Sequence, residues 1–270
     1  MDFENICKQV VAITHEIGNF IREEAQNFDL SRIEHKGKND LVSYVDREAE
    51  RRLISRLQEI TPGCAFFSEE DENNKSITDN PFHWIIDPLD GTTNFLHGLP
   101  IYAISVGLMY EDEIVVGVVH ELNRNECFYG WKDGGAYCNE RKIQVSPVLE
   151  LSDSLLGTGF PYRDFDKTPS YLEIIKDFMK RTHGLRRMGS AAVDLAYVAT
   201  GRFQGFFEYN LNAWDVAAGA LLVKEAGGLV STFEGKDDFI FGKEIVAACA
   251  IHPQMLEVIK KHWSGNGHEE

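Results

Sequence analysis

Positive charge is scarce in this sequence: 27 Lys and Arg stand against 43 Asp and Glu, a formal net charge of −16. Such a chain repels nucleic acid and anionic membrane at long range, so no direct nucleic-acid binding is expected. Paired cysteine is missing too. Cys7, Cys64, Cys127, Cys138 and Cys249 are odd in number, scattered and without a C-x-x-C pair, so they read as free structural thiols in a reducing compartment. No apolar run approaches the length of a membrane span, and Met1-Asp2-Phe3-Glu4 has neither the basic region nor the apolar core of a signal peptide. A soluble cytoplasmic protein with no membrane contact is therefore expected. Internal repeats and low-complexity segments are also absent.

What is present is ordinary globular material. Of 270 residues, 43% are hydrophobic and 26% charged, enough for one large domain or two tightly packed halves around a substantial core. Ile6, Val10, Ile13, Ile17 and Phe20 recur at three and four, which predicts an amphipathic helix over residues 2 to 27. A basic, flexible stretch, His35-Lys36-Gly37-Lys38, leads through Asp40-Leu41-Val42-Ser43 to a helix carrying Val45, Ala49, Leu53 and Leu57, stopped by Thr61-Pro62-Gly63. The strand Cys64 to Phe67 opens into the acidic run Ser68-Glu69-Glu70-Asp71-Glu72. Asp71 and Glu72 read as a solvated face, whereas Glu69 sits at the mouth of a buried strand.

Strands at Ile101 to Tyr110 and Ile114 to His120 form a tight antiparallel hairpin, and Cys127 to Trp131 pairs with Ala136 to Cys138 through a turn at Asp133-Gly134. From about residue 150 the texture changes. A strand at Ser154 to Phe160, helices at Pro169 to Arg181 and Ala191 to Ala199, and a strand at Phe203 to Glu208 begin a second half. The helix Trp214 to Ala226, strands Leu229 to Thr232 and Ile245 to Ala250, and a helix after Pro253 complete it; the tail Ser264 to Glu270 reads as frayed. The fold class is α+β, with an antiparallel meander in residues 1–150 and a smaller sheet in residues 151–270, the two halves packing as one compact unit.

Chemistry concentrates at Trp84-Ile85-Ile86-Asp87-Pro88-Leu89-Asp90-Gly91-Thr92-Thr93-Asn94-Phe95. An apolar strand delivers Asp87 at its carboxyl end, Pro88 stiffens the corner, and Asp90 returns to the same side, so both carboxylates can share a cation. Gly91 permits close backbone approach, and Thr92 and Thr93 place hydroxyl and N–H groups at a helix start that favours an anion. An ordinary strand-end turn uses the same residue types. In Trp214-Asp215-Val216-Ala217-Ala218-Gly219, Asp215 lies at a helix start, either as a helix cap or as a further ligand, and small residues behind it allow close packing. Glu69, Asp87, Asp90 and Asp215 together offer oxygen ligands without a matching His or Cys set, which suits Mg²⁺ better than Zn²⁺.

The two segments Asp87-Pro88-Leu89-Asp90-Gly91-Thr92-Thr93-Asn94-Phe95 and Trp214-Asp215-Val216-Ala217-Ala218-Gly219 resemble the signatures of the inositol monophosphatases, Mg²⁺-dependent and lithium-sensitive phosphatases. Asp40-Leu41-Val42-Ser43 through Asp46 is similar to that family's early D-L-V-T element, and the likeness spans nearly the whole chain. It implies an αβαβα sandwich, a homodimer, and hydrolysis of a sugar-alcohol phosphate by attack of a metal-activated water. Glu69, Asp87 and the Leu89 carbonyl would hold one Mg²⁺, and Asp87, Asp90 and Asp215 a second, with Glu69 helping a third through water. Thr92 paired with Asp46 would position the attacking water. The Gly91 and Thr92 N–H groups would hold the phosphate, and Gly189, Ser190, Ala191 and Glu208 would meet the substrate hydroxyls. Four carboxylates and a phosphate dianion need about three Mg²⁺ for neutrality.

Several alternatives stay open at this point. Sibling phosphatases act on fructose 1,6-bisphosphate, 3′-phosphoadenosine compounds or histidinol phosphate, and Thr93-Asn94-Phe95 favours the inositol type over the nucleotide type. A regulatory protein retaining the fold is the non-enzymatic alternative. Enzymes that use an Asp nucleophile space their aspartates D-x-D, not D-x-x-D. Arg186-Arg187 reads as a solvated strand pair rather than a second phosphate site. His97, just after the motif helix, reads as a surface or packing histidine rather than a substrate contact, and His83, His120 and His252 have no metal-like spacing. His35, Lys36 or Lys38 would occupy the family's mobile basic position.

Overall fold

The computed structural model describes residues 1–26, 33–37, 40–70, 80–161 and 165–263, with backbone alone at 33–37 and 40–42. Asp71, Glu72, Lys38 and the tail Ser264 to Glu270 lie outside the described residues, and nothing tests the expectations placed on them. Helix α1 (Phe3–Gln26) buries Ile6, Val10, Ile13, Ile17 and Ile21. Phe20, expected in that stripe, is half-buried beneath the guanidinium of Arg52, 3.9 Å from its ring centroid.

Of the basic stretch, His35, Lys36 and Gly37 lie in β1 (Ile33–Gly37), which pairs antiparallel with β2 (Asp40–Ser43). It feeds α2 (Tyr44–Ile60), whose start is fixed by a capping box. The Ser43 hydroxyl accepts from Val45 N at 3.1 Å, and the Asp46 carboxylate accepts from Ser43 N at 2.9 Å.

Strands β3 (Ala65–Ser68), β4 (Phe82–Asp90), β5 (Ala103–Tyr110), β6 (Glu113–Glu121), β7 (Glu126–Trp131), β8 (Gly135–Cys138) and β9 (Arg141–Ile143) form one sheet in that order. All neighbours are antiparallel except β3 and β4. A short helix, α3 (Thr92–Leu96), interrupts the run after β4. The hairpin signals held for a physical reason: Glu111 and Asp133 adopt φ of 55° and 62°, the left-handed geometry such tight turns require. Strand β9, only three residues long with two of them exposed, carried no pattern to read.

The second half supplies β10 (Leu155–Thr158), α4 (Thr168–Arg181), β11 (Gly184–Arg186), α5 (Ala191–Ala199), β12 (Gly205–Tyr209), α6 (Ala213–Glu225), β13 (Leu229–Ser231), β14 (Glu244–Ala248) and α7 (His252–Trp263). Its sheet runs β11-β10-β12-β14-β13, with β10 parallel to both neighbours and the other pairs antiparallel. The strand expected to reach Phe160 stops at Thr158, and Gly159 and Phe160 form the loop beyond it.

The layers stack αβαβα. Helices α1 and α2 bury Val10, Ile17, Leu53 and Leu57 against Trp84, Ile104 and Val118 of the larger sheet. Helices α5 and α6 fill the space between the sheets, joining Val119 and Phe128 to Phe206 and Ala247. Helices α4 and α7 cover the outer face of the smaller sheet through Tyr171, Phe178, Met255 and Trp263. The five cysteines are unpaired, with Cys7, Cys127 and Cys249 buried.

Small residues set how closely α6 approaches. A Cβ on Gly117 would lie 2.7 Å from the Ala218 carbonyl oxygen, and one on Gly219 would lie 2.5 Å from Leu195 Cβ. A larger residue at Gly117 would push α6 off the larger sheet and one at Gly219 would push it off α5, and Asp215 rides on the same helix.

Candidate active site

The acidic corner is built by an irregularity in β4. The apolar strand was expected to end where Asp87 begins, but pairing to β5 continues through Asp90. Asp87 pairs with Ser105 and Asp90 with Ala103, so three steps on one strand match two on the other. That extra residue is a bulge between Asp87 and Asp90, a stretch that includes Pro88, which has no N–H to give to the ladder. In a regular strand, residues i and i+3 point to opposite faces. The bulge brings both carboxylates to the same side.

Each carboxylate is then anchored. Asp87 Oδ1 accepts from Leu89 N at 2.9 Å. Asp90 Oδ2 accepts from the Ser190 hydroxyl at 2.6 Å and from Ala192 N at 2.7 Å, which ties β4 to the start of α5. Asp215 Oδ2 accepts from Asn212 N at 2.6 Å. Asn212, not Asp215, caps α6; Asp215 is the third residue of the helix and closes a capping box, so helix capping and cleft lining coexist in one side chain. Ligand oxygens of Asp87, Asp90 and Asp215 lie within 4.8 Å of one another. Glu69 follows β3, extends its parallel pairing through Glu69 N to the Ile86 carbonyl at 3.3 Å, and lines the same cleft outside that triplet.

Crowding like charges in a buried place has a cost that shows in their proton affinity. Burial, and then the charges of Glu69, Asp90 and Asp215, push the Asp87 carboxyl well above the usual range. Burial raises Asp90 to about 6, against the opposing hydrogen bonds from Ser190 and Ala192. All-oxygen donors at this spacing fit a hard divalent cation such as Mg²⁺.

Gly91 has φ 98°, and a Cβ there would sit 3.0 Å from the Ile101 carbonyl oxygen, so both its conformation and its surroundings exclude a side chain. This turn aims Thr92, whose hydroxyl lies 2.9 Å from Asp46 Oδ1 and 3.0 Å from the Leu89 carbonyl oxygen. Burial raises the Asp46 carboxyl, against hydrogen bonds from Ser43 and Thr92.

One cleft of ≈ 480 Å³ contains every site residue singled out from the sequence except Asp46, which reaches it through Thr92. Gly189, Ser190 and Ala191 line it at the start of α5, and Glu208 lines it from β12. Three charged cleft residues were missed. Arg187, expected in a solvated pair, is exposed like Arg186 at the end of β11 but also lines the cleft, as does Lys243. Asp194 is the third. Burial, then the charge of Glu208, raises its carboxyl, and burial, then Asp215, raises Glu208. The available signal was Asp194 itself, the one charged residue in the apolar helix Ala191–Ala199.

Among the described residues no histidine lines the cleft. His97 is exposed at the end of α3. His120 does gather with His15 and Cys127 within 4.8 Å, contrary to its sequence spacing, yet its ring nitrogens already meet the Thr14 carbonyl oxygen at 3.1 Å and Asn125 Oδ1 at 3.4 Å. Burial pushes it down to about 4, the signature of a neutral core histidine.

An αβαβα sandwich whose bulged strand and central helix converge three aspartates beside a glycine-threonine turn defines a class of carboxylate-lined, cation-suited proteins. Comparison narrows the class. The inositol monophosphatase family profile matches residues 2–264. An inositol-1-monophosphatase of Rhizobium meliloti is 47% identical over 212 residues, 78% of each chain. Nus factor SuhB of Pseudomonas aeruginosa is 42% identical over 235 residues, 85% of this chain and 86% of that one. The crystal structure of extragenic suppressor protein suhB from Bartonella henselae superposes with a TM-score of 0.89 at 36% identity, covering 95% of this chain and 99% of that one. The chain belongs to the inositol monophosphatase family.

Proposed function

We propose that this chain is a Mg²⁺-dependent phosphomonoesterase that hydrolyses inositol monophosphates and related sugar-alcohol phosphates. The observation that carries this reading is the convergence of Asp87, Asp90 and Asp215 ligand oxygens within 4.8 Å beside Thr92. Those three, with Glu69 and the Leu89 carbonyl, would hold two to three Mg²⁺. When bound, the metal supplies neutralising charge for the phosphate, an acidified water and stabilisation of the departing alkoxide.

The remaining work belongs to the chain. The Gly91 and Thr92 N–H groups orient the phosphate at the turn, where the first amides of a helix lack intrahelical partners. The Thr92 hydroxyl, held by Asp46 Oδ1 and the Leu89 carbonyl, directs the attacking water from the side opposite the ester oxygen. Asp46 is buried at 1% exposure and its raised carboxyl is a better proton acceptor than an exposed one, so the water's proton passes toward it through Thr92. Gly189, Ser190, Ala191 and Glu208 face the alcohol. A homodimer and inhibition by lithium belong to the same reading.

A phosphate-release panel with Mg²⁺ tests it. Inositol 1-phosphate is expected to turn over faster than fructose 1,6-bisphosphate, a 3′-phosphoadenosine compound or histidinol phosphate; preference for one of those overturns the substrate assignment. The identity to a chain named Nus factor favours a second role of that kind. No helix among the described residues is long and apolar enough to cross a membrane.

A further inference from the structure

Asp46 and Glu50 stand one turn apart on α2, and both are buried, at 1% and 6% exposure. Acidic side chains are seldom buried this far without a partner. Asp46 holds Thr92. Glu50 reaches a different segment: its Oε1 accepts from Glu70 N at 3.0 Å, across 20 positions of sequence.

That bond completes a bracket around Glu69. Strand β3 ends at Ser68, and Glu69 N still reaches the Ile86 carbonyl oxygen of β4, at 3.3 Å. The next N–H, that of Glu70, goes to the Glu50 carboxyl. The two peptide groups that flank the Glu69 Cα are therefore held, one by β4 and the other by α2. With them are held the two backbone dihedrals that aim the Glu69 side chain. Glu69 lines the cleft, and its charge is felt at Asp87. Repulsion between these like charges favours a Glu69 turned out to water whenever no cation lies between them, and a backbone held on both sides opposes that.

We infer that Glu50 is a positioning residue: by holding the peptide between Glu69 and Glu70, it keeps the Glu69 carboxylate beside Asp87 as a preformed metal ligand. This rests on the metal-centre reading of the cleft. Glu50 is not among the residues that line the cleft, so it acts through the Glu69–Glu70 backbone and touches neither metal nor substrate. One helix then sets two parts of the centre, Thr92 through Asp46 and Glu69 through Glu50. A ligand already in place binds its cation without a further ordering cost.

Calorimetric titration of Mg²⁺ into the metal-free full chain tests this without substrate. Glu50→Ala is expected to weaken Mg²⁺ affinity by about tenfold or more. Glu50→Asp keeps the charge but is a methylene too short to reach the Glu70 N–H. It is expected to weaken affinity similarly, and it carries the test if the alanine variant fails to fold. Glu50→Gln keeps an acceptor oxygen at the same reach, and its affinity should stay within about threefold of wild type. Leu57→Val, farther along the same helix and fully buried, reports general loosening of α2: it should lower the urea midpoint and leave Mg²⁺ affinity unchanged. A folded alanine or aspartate variant that binds Mg²⁺ as wild type does overturns the inference alone, with the metal centre intact. So does a Leu57→Val variant that loses as much affinity as Glu50→Ala, and so does a glutamine variant as weak as the alanine one. Wild-type protein that binds no Mg²⁺ overturns both readings.

Discussion

The Thr92 hydroxyl and Asp46 Oδ1, 46 positions apart in sequence, lie 2.9 Å apart in space. The contact joins the first turn of α2 to the turn after β4, and Asp46 has two duties in it. One oxygen faces Thr92, and the other closes the capping box with Ser43. Thr92→Val should therefore lower kcat by about 10²–10³-fold with little effect on stability. Asp46→Ala should lower kcat similarly and also cost about 1 kcal/mol of stability through the lost cap. Steady-state kinetics beside urea unfolding distinguishes the two; equal stability loss in both variants would contradict the assignment of separate duties.

Proton and metal should compete at the three aspartates. The folded Asp90 carboxyl sits at about 6 against an ordinary 3.8, so between those values the folded chain binds more protons than the unfolded one. Stability of the metal-free protein therefore falls, from this group, as pH rises through that window. Mg²⁺ should flatten this dependence, and its binding near pH 6 should release protons. Thermal unfolding with chelator and with Mg²⁺ across pH, and calorimetric titration in two buffers of different ionisation heat, measure both. Binding enthalpies identical after buffer exchange would contradict the coupling.

Packing of α6 should reach the site from a distance. Gly219→Ala places a Cβ 2.5 Å from Leu195 Cβ, where α5 and α6 cross between the sheets. Overpacking of this kind costs about 1–3 kcal/mol. Because Asp215 rides on the same helix, Mg²⁺ affinity should fall along with the urea midpoint. Loss of stability with unchanged Mg²⁺ affinity would show that the first turn of α6 is positioned independently of Gly219.

Legibility in the sequence followed the range of the interactions. The long helices and the meander were readable because Ile6, Val10, Ile13 and Ile17 in α1, and the tight turns at Glu111 and Asp133, encode their geometry within a few residues. The residues lining the candidate cleft were readable where they cluster in two motifs. The β4 bulge was not, since its register is defined only against Ser105 and Ala103 of β5. Nor was the β1–β2 hairpin, whose four- and five-residue strands are too short for a period to show. Arg187 and Asp194 escaped because one adjoins a solvent-facing strand and the other interrupts an apolar helix, and their approach to Glu208 is set by how the smaller sheet packs on α5.

Hydrolysis by Asp215→Asn protein tests the central claim most directly. Asn keeps an oxygen that can accept from Asn212 N, so the helix start and the fold should survive, with circular dichroism and Tm close to wild type. The negative charge shared with Asp87 and Asp90 is lost, so Mg²⁺-dependent phosphate release from inositol 1-phosphate should fall by about 10³-fold or more. Turnover retained at the wild-type level in the folded variant would contradict a catalytic role for the aspartate triplet.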